Sequence, residues 1–199
     1  RYKNVEHIMY DSIPYDGMLN ANKQSFNLRA IPSYSFDKAN VIVSFGADFL
    51  GNWLNNDYSN DYVKGRNPKN GKMAKHYQIE TNLSLSGSNA DKRIAIKPSE
   101  QKVLLSDLYN SLSKRVSPND NRLVEIIEKL RNNKGKSLIV CDSNDVNTQL
   151  VVNSINAILD NYGKTISLKR PSYIKHFFKR KTEYEISGCD WSSDVCSSD

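Results

Sequence analysis

Two turns of this chain hold residue types that handle ligands in proteins built from alternating strands and helices. Ser44-Phe45-Gly46-Ala47-Asp48 ends the apolar run at 41–45, and Cys141-Asp142-Ser143-Asn144-Asp145 ends the run at 137–141. A glycine at the carboxyl end of a buried strand lets a ligand approach the backbone, and N–H groups at a following helix start favour phosphate. Glu80, which ends the run 76–80 just before Thr81, could accept hydrogen bonds from ribose hydroxyls. Gly, Asp and Asn also serve as plain turn formers. Neither turn contains G-x-G-x-x-G or a P-loop. His7, His76 and His176 share no ligand-like spacing, and no Cys/His pair, H-E-x-x-H or serine elbow is visible. Asp48 and Asp57 qualify as general acids only as any cleft carboxylate does. Pattern alone therefore gives no catalytic or metal-binding residue.

The elements that must position these turns follow from hydrophobic periodicity. A strand is expected at 5–10, then a turn at 11–14, with Ser12 or Asp16 capping a helix that runs to about residue 25. An extended segment at 31–36 leads into the strand 41–45. Residues 52–72 are rich in Asn, Asp, Gly and Lys and read as a surface excursion. Tyr58 and Tyr62 are its packing groups, with one helical turn near 58–63. Strands follow at 76–80 and 93–96, separated by a turn-rich stretch at 82–91.

The second half reads more regularly. Ser99 is placed to cap a helix whose Leu104, Leu108 and Leu112 recur every four residues. Ser117 is placed to cap another, with Pro118 in its first turn and Leu123, Ile126, Ile127 and Leu130 on its apolar face. The strand 137–141, a helix from Val146 that stops at Tyr162-Gly163, and a short strand at 165–168 complete the pattern. Alternating helix and strand with short links predict an α/β fold, an open, mainly parallel sheet with helices on both faces.

At 199 residues the chain has the usual length of one domain, ~100–200 residues. It opens on Arg1, and the expectation is an internal portion of a larger protein. Residues 187–199, SGCDWSSDVCSSD, carry a near-repeat without helix or strand period and read as translated adapter sequence. Setting them aside leaves a domain at 1–175 and a basic segment at 176–186. It also removes Cys189 and Cys196, so that only Cys141 remains, in an apolar run where cysteine acts as a small hydrophobe. The tail holds three aspartates and no Lys or Arg, so without it the formal charge rises by three from +6. The positive charges are dispersed apart from Lys169-Arg170 and 175–181, and no nucleic-acid-binding motif accompanies them. An acidic or anionic partner surface is as good an explanation of this field as nucleic acid. No apolar run approaches the ~18–20 residues of a membrane span.

Beyond periodicity, several strings are similar to a known family. They are Ile31-Pro32-Ser33-Tyr34 with 36–50, Gly71-Lys72-Met73, 77–81 with 86–91, 93–100, Ser143-Asn144-Asp145-Val146, and Asn153 with 155–166. Together they resemble the molybdopterin oxidoreductase superfamily over residues 5–175. Within it they look most like the B subunits of alternative complex III, a bacterial quinol:cytochrome c oxidoreductase. Those of Bacteroidetes are described as twin-arginine-variant-translocated molybdopterin oxidoreductases.

In catalytic relatives, strand-end loops of this kind embrace the nucleotide arms of a bis-molybdopterin cofactor. The resemblance assigns that place to Gly46, Ala47, Asp48, Glu80, Thr81 and Asn144, as a vestigial pocket. It implies a non-catalytic scaffold in an Fe–S electron-transfer subunit, with no cofactor in this portion and Fe–S clusters elsewhere in the subunit. The implied partners are the Fe–S half of the same subunit and the haem c and membrane subunits. The implied location is exported, on the periplasmic side of the inner membrane. The alternative it implies is a portion of a catalytic bis-molybdopterin enzyme of the polysulfide or thiosulfate reductase type, whose ligand and cluster residues lie outside these 199.

Overall fold

The fold is organised by three strands that are buried along almost their whole length. In the computed structural model, which describes residues 14–55, 58–71 and 73–172, the elements run α1 (Asp16–Phe26), β1 (Ile31–Tyr34), β2 (Val41–Phe45), α2 (Ser59–Gly65), β3 (Lys75–Glu80), α3 (Leu85–Ser88), β4 (Lys92–Ala95), α4 (Glu100–Lys114), α5 (Val124–Asn132), β5 (Ser137–Cys141), α6 (Val146–Ile158) and β6 (Ile166–Ser172). Every residue of β2 and β5, and all of β3 after Lys75, is buried. Strands buried on both faces belong in a helix-covered parallel sheet. β2 pairs in parallel with β3 and with β5, and β3 with β4, giving the order β4-β3-β2-β5. Val43 stands opposite Tyr77 on one side and Ile139 on the other.

Alternation along each strand divides the core in two. Val41, Val43, Phe45, Tyr77, Ile79, Ile139 and Cys141 face the leucines and isoleucines of α4, α5 and α6. Ile42, Leu138 and Val140 face α1 and a layer of aromatic rings, among them Phe36, Phe49, Tyr58 and Tyr62. Phe36 stacks on Phe49 with ring centroids 4.4 Å apart. Helices thus cover both faces, as the alternation predicts. Among the described residues no helix is long and apolar enough to cross a membrane. The expected strand at 5–10, Ser12 and the basic cluster at 175–181 lie outside the described residues.

Several boundaries differ from expectation, each for a local reason. Asp16 lies inside α1 and pairs with Arg29, while the N–H of Gly17 donates to Asn144 Oδ1 at 2.7 Å. Ser99 precedes α4 without a side-chain cap, because its backbone is already helical at φ −67° and ψ −24°, and Glu100 reaches back to accept the N–H of Lys97. The helix expected from Ser117 starts at Val124 instead, after a 3-10 turn capped by Asp120. The buried carboxylate of Asp107 draws residues 119–120 out of helical geometry by accepting the N–H groups of Asn119 and Asp120. α6 ends at Ile158 rather than at Tyr162, and Asp160 takes a positive φ just beyond it. The excursion at 52–72 is less superficial than its composition implies, since Trp53, Leu54, Tyr58 and Tyr62 are buried. The extended segment at 31–34 and the last strand pair antiparallel with each other, outside the main sheet.

β5 is an edge strand, yet its free side is closed by side chains. The C=O of Ser137 accepts from Thr165 Oγ1 at 2.7 Å, and that of Cys141 from Gln149 Nε2 at 3.1 Å. Between them, Ile139 donates its N–H to Asn156 Oδ1 at 3.2 Å and accepts from Asn156 Nδ2 at 2.9 Å. Gln149 and Asn156 lie seven residues apart on α6, two turns along one face, and each is only 2% exposed. The side-chain amides take the place of a neighbouring strand and leave no template for edge pairing.

Replacing Asn156 by Ala strands both polar groups of Ile139 in the core. At ~1–3 kcal/mol for each unsatisfied group, the loss is roughly 2–5 kcal/mol. The midpoint of urea unfolding reads it, with Ser154→Ala on the exposed side of the same helix expected to change stability by less than about 0.5 kcal/mol.

Candidate functional site

The strand order reverses at β2: β3 and β4 extend the sheet one way and β5 the other. The crevice outside the carboxyl ends of β2 and β5 is the place where open α/β sheets hold ligands. Gly46 leaves β2 there with φ +72°. A Cβ on Gly46 would stand 2.5 Å from Asp142 Oδ2, and the left-handed φ there is one that glycine adopts without strain. Gln101, from the first turn of α4, spans the gap and donates Nε2–H to Asp142 Oδ1 at 2.9 Å and to the Phe45 C=O at 3.2 Å. Beside them lies a cavity of about 200 Å3, bounded by Gly46, Glu80, Thr81, Ser84, Gln101 and Asp142.

The sequence-predicted residues come to this edge, and three of the six line the cavity. Gly46, Glu80 and Thr81 line it. Ala47 is fully buried, and its C=O accepts from Ser44 Oγ at 2.8 Å. Asp48 is taken up by Ser86, whose N–H and Oγ–H both donate to Asp48 Oδ1, at 2.8 and 2.7 Å. Asn144 holds the start of α1 through the N–H of Gly17. Asp57, His7 and His176 lie outside the described residues.

Glu80 is the most heavily committed of the set. Its oxygens accept from Arg93 Nε at 2.7 Å, Ser84 Oγ at 2.6 Å, the Ser84 N–H at 3.2 Å and Gln78 Nε2 at 3.0 Å. Burial alone would raise its pKa, but these donors outweigh burial and hold the carboxyl below its usual range. Gly87 is glycine because a Cβ there would fall 2.0 Å from Glu80 Oε1. No acceptor capacity is left over for a ribose.

Asp142 is the opposite case. The residue is exposed as a whole, but its carboxyl is turned inward against Gly46. That desolvation lifts its pKa above the ordinary value, with the Gln101 donor opposing. Among the described residues it makes no ion pair, whereas Glu80 pairs with Arg93 and Asp145 with Lys102. Cys141 beside it is free and buried, and burial pushes its thiol up to about 12, which leaves it without thiolate character at neutral pH.

A polar ladder runs beneath this edge. His76, Gln78 and Glu80 occupy alternate positions of β3 and so share one face. Gln78 gives Nε2–H to Glu80 and therefore presents Oε1 to His76 Nε2, 3.2 Å away. That network places the imidazole proton on Nε2 and leaves Nδ1 to accept from the Tyr62 hydroxyl at 3.0 Å. The same hydroxyl lies 3.0 Å from the Asn89 C=O, so one proton serves two acceptors. Burial, foremost, lowers the His76 pKa to about 4 and keeps the ring neutral. The ladder was detectable as three polar side chains at i, i+2 and i+4 of a buried strand. Gln101 and Ser84 carry no such signal, because only the fold brings them to the Asp142 turn and Glu80 that the sequence offered.

A phosphate-bearing ligand does not fit this edge. The Gly46 N–H is already donated to the Ile79 C=O at 2.9 Å, and the Asp142 carboxylate covers the position a phosphate would take. Small-molecule pockets span ~300–1,000 Å3, more than the room available here. Among the described residues no group of three or more His, Cys, Asp or Glu side chains is placed to hold a metal ion. No family model matches the chain, and no curated protein matches it either.

Two pH-linked outcomes follow. An Asp142 whose native pKa is raised retains its proton longer in the folded chain, so its ionisation costs stability as pH rises through the carboxylate range. Asp142→Asn should therefore raise the melting temperature at pH 7, and the gain should vanish in acid where the wild-type carboxyl is protonated. His76 runs the other way. Unfolded chains protonate histidine near ~6.5 and the native ring only at about 4, so the unfolded state binds more protons between those values. Stability falls as pH drops through that window, by on the order of 3 kcal/mol. Urea titrations from pH 7 to 4 should show this slope in the wild type and its loss in His76→Gln.

Proposed function

We propose that this chain is a non-catalytic, molybdopterin-oxidoreductase-like scaffold portion of an Fe–S electron-transfer subunit, of the kind found in alternative complex III. One observation carries the reading: the carboxylate of Asp142 lies over Gly46, where a nucleotide arm would need backbone N–H groups and room. The other candidate residues are spent on the domain itself. Asp48 ties the β2 loop to the start of α3, Glu80 ties β3 to β4, and Asn144 ties the β5 loop to α1. A cradle of inherited shape is thereby turned into a brace. The residues present do not fit a phosphate-linked pterin, and no chemical step is assigned to one.

In this reading the domain supports the Fe–S half of its subunit and the neighbouring haem c and membrane subunits on the exported side of the membrane. The basic charge of the chain, +6, favours acidic partner surfaces during assembly. The test is elemental and pterin analysis of the complete purified subunit. The expected result is iron without stoichiometric molybdenum or tungsten and without the fluorescence of oxidised pterin. One molybdenum per subunit would sink the scaffold reading in favour of a bis-molybdopterin enzyme.

A further inference from the structure

We infer that the cavity beside Gly46 receives one basic side chain, an arginine or lysine, presented by a partner protein segment whose apolar residues cover Leu83 and Leu85. The inference rests on the scaffold reading and names the kind of contact that a scaffold of this shape makes.

Size limits the occupant first. About 200 Å3 is too small for a cofactor and suits a single long side chain. Charge limits it next. The cavity wall carries the carboxylates of Glu80 and Asp142 and no lysine or arginine. Glu80 is neutralised by Arg93, but Asp142 meets only the neutral amide of Gln101 among the described residues. A carboxylate that faces a cavity without a paired cation leaves its charge to be met by whatever enters. A guanidinium supplies several N–H donors in a fork that matches a carboxylate, and an ammonium supplies a point charge. The buried faces of Ile79 and Ile96 in the cavity wall suit the aliphatic stem of either.

The rim argues for a protein rather than a small amine. Leu83 borders the cavity and is 66% exposed, and Leu85, two residues on, is 54% exposed. An exposed leucine on the same cavity wall as an unpaired carboxylate, with a second exposed leucine following it at the start of α3, forms the core-and-charge pattern of a docking contact. An acidic partner is disfavoured by like charge at the same place.

The experiment places the photo-cross-linker p-benzoylphenylalanine at Leu83 in the complete subunit, within its purified native complex, and identifies the attached peptide by mass spectrometry. The expected peptide belongs to a different polypeptide, or to a part of the subunit outside these residues, and carries Arg or Lys within about three positions of the cross-link. Asp142→Asn should lower the yield by about tenfold, the loss of a charge-assisted contact. The control Asp61→Asn, a half-buried acid on α2 that does not line the cavity, should not change it. Because Asp142→Asn is expected to stabilise the domain, a lower yield cannot come from unfolding, and melting curves of both variants check this. An unchanged yield in Asp142→Asn, an attached peptide without a basic residue, a second copy of this chain, or no cross-link overturns the inference. Molybdenum is measured on the same preparation: its presence beside an Asp142-dependent cross-link removes the scaffold reading alone, and its absence without a cross-link removes the docking site alone.

Discussion

The side-chain amide of Asn156 stands in for a fifth strand, and the rest of the domain is arranged around that substitution. An amide offers one acceptor and an NH2 donor, the same pair a backbone residue offers, so Ile139 is satisfied as if another strand lay beside it. With Gln149 and Thr165 completing the row, β5 ends the sheet without an open edge. α6 is consequently held at the edge by directional bonds as well as by its apolar residues. This lets it touch α1 on one side and α4 on the other. The turn after β5 then emerges at a fixed height beside β2, which is what brings Asp142 onto Gly46.

Two buried polar systems share the interior, and they differ in how well they balance. Around α6, Asn161 donates to Asn156 Oδ1 and accepts from Ser137 Oγ, while Asn153 links Tyr162 to Asn22. That network rigidifies the edge because its members all find partners. The ladder on β3 is different, since the Tyr62 proton faces both His76 Nδ1 and the Asn89 carbonyl. A second ring proton would satisfy all of these contacts, yet burial among Phe49 and Tyr62 opposes the charge. Desolvation wins over hydrogen-bond completion, and the ring stays neutral near pH 7.

How much of this was legible in the sequence depends on the range of the interaction. The strands 41–45 and 137–141 and the leucine face of α4 follow from local pattern, since burial on one or both faces imposes a period. Ser99 and Ser117 were misleading because capping depends on backbone geometry and on competing acceptors. Ser99 is already in helical geometry, which turns its hydroxyl away from the capping N–H groups, and Asp107 captured the N–H groups that would have opened a helix at 118–120. The pairing of β1 with β6 was hidden because it joins residues more than a hundred positions apart. At the site, glycine at 46 and acid at 48 stood out by type. Their partners did not: Ser86 on Asp48 and Gln101 on Asp142 become meaningful only once α3 and α4 are folded onto the sheet.

Two acids at one strand edge, Glu80 and Asp142, show why residue type underdetermines role. Glu80 collects donors from Ser84, Gln78 and Arg93, so its charge is offset in place and it fastens β3 to β4. Asp142 has one neutral donor and a glycine beneath it, and its charge is left to be met from outside. An anion cradle needs free backbone N–H groups and no competing negative side chain. At Gly46 both conditions fail together, because its N–H is bonded to Ile79 and its open side is taken by a carboxylate. The positive φ that would let a phosphate approach the backbone serves instead to seat the chain's own acid. The same geometry that closes the crevice to phosphate thereby points a negative charge at whatever docks there.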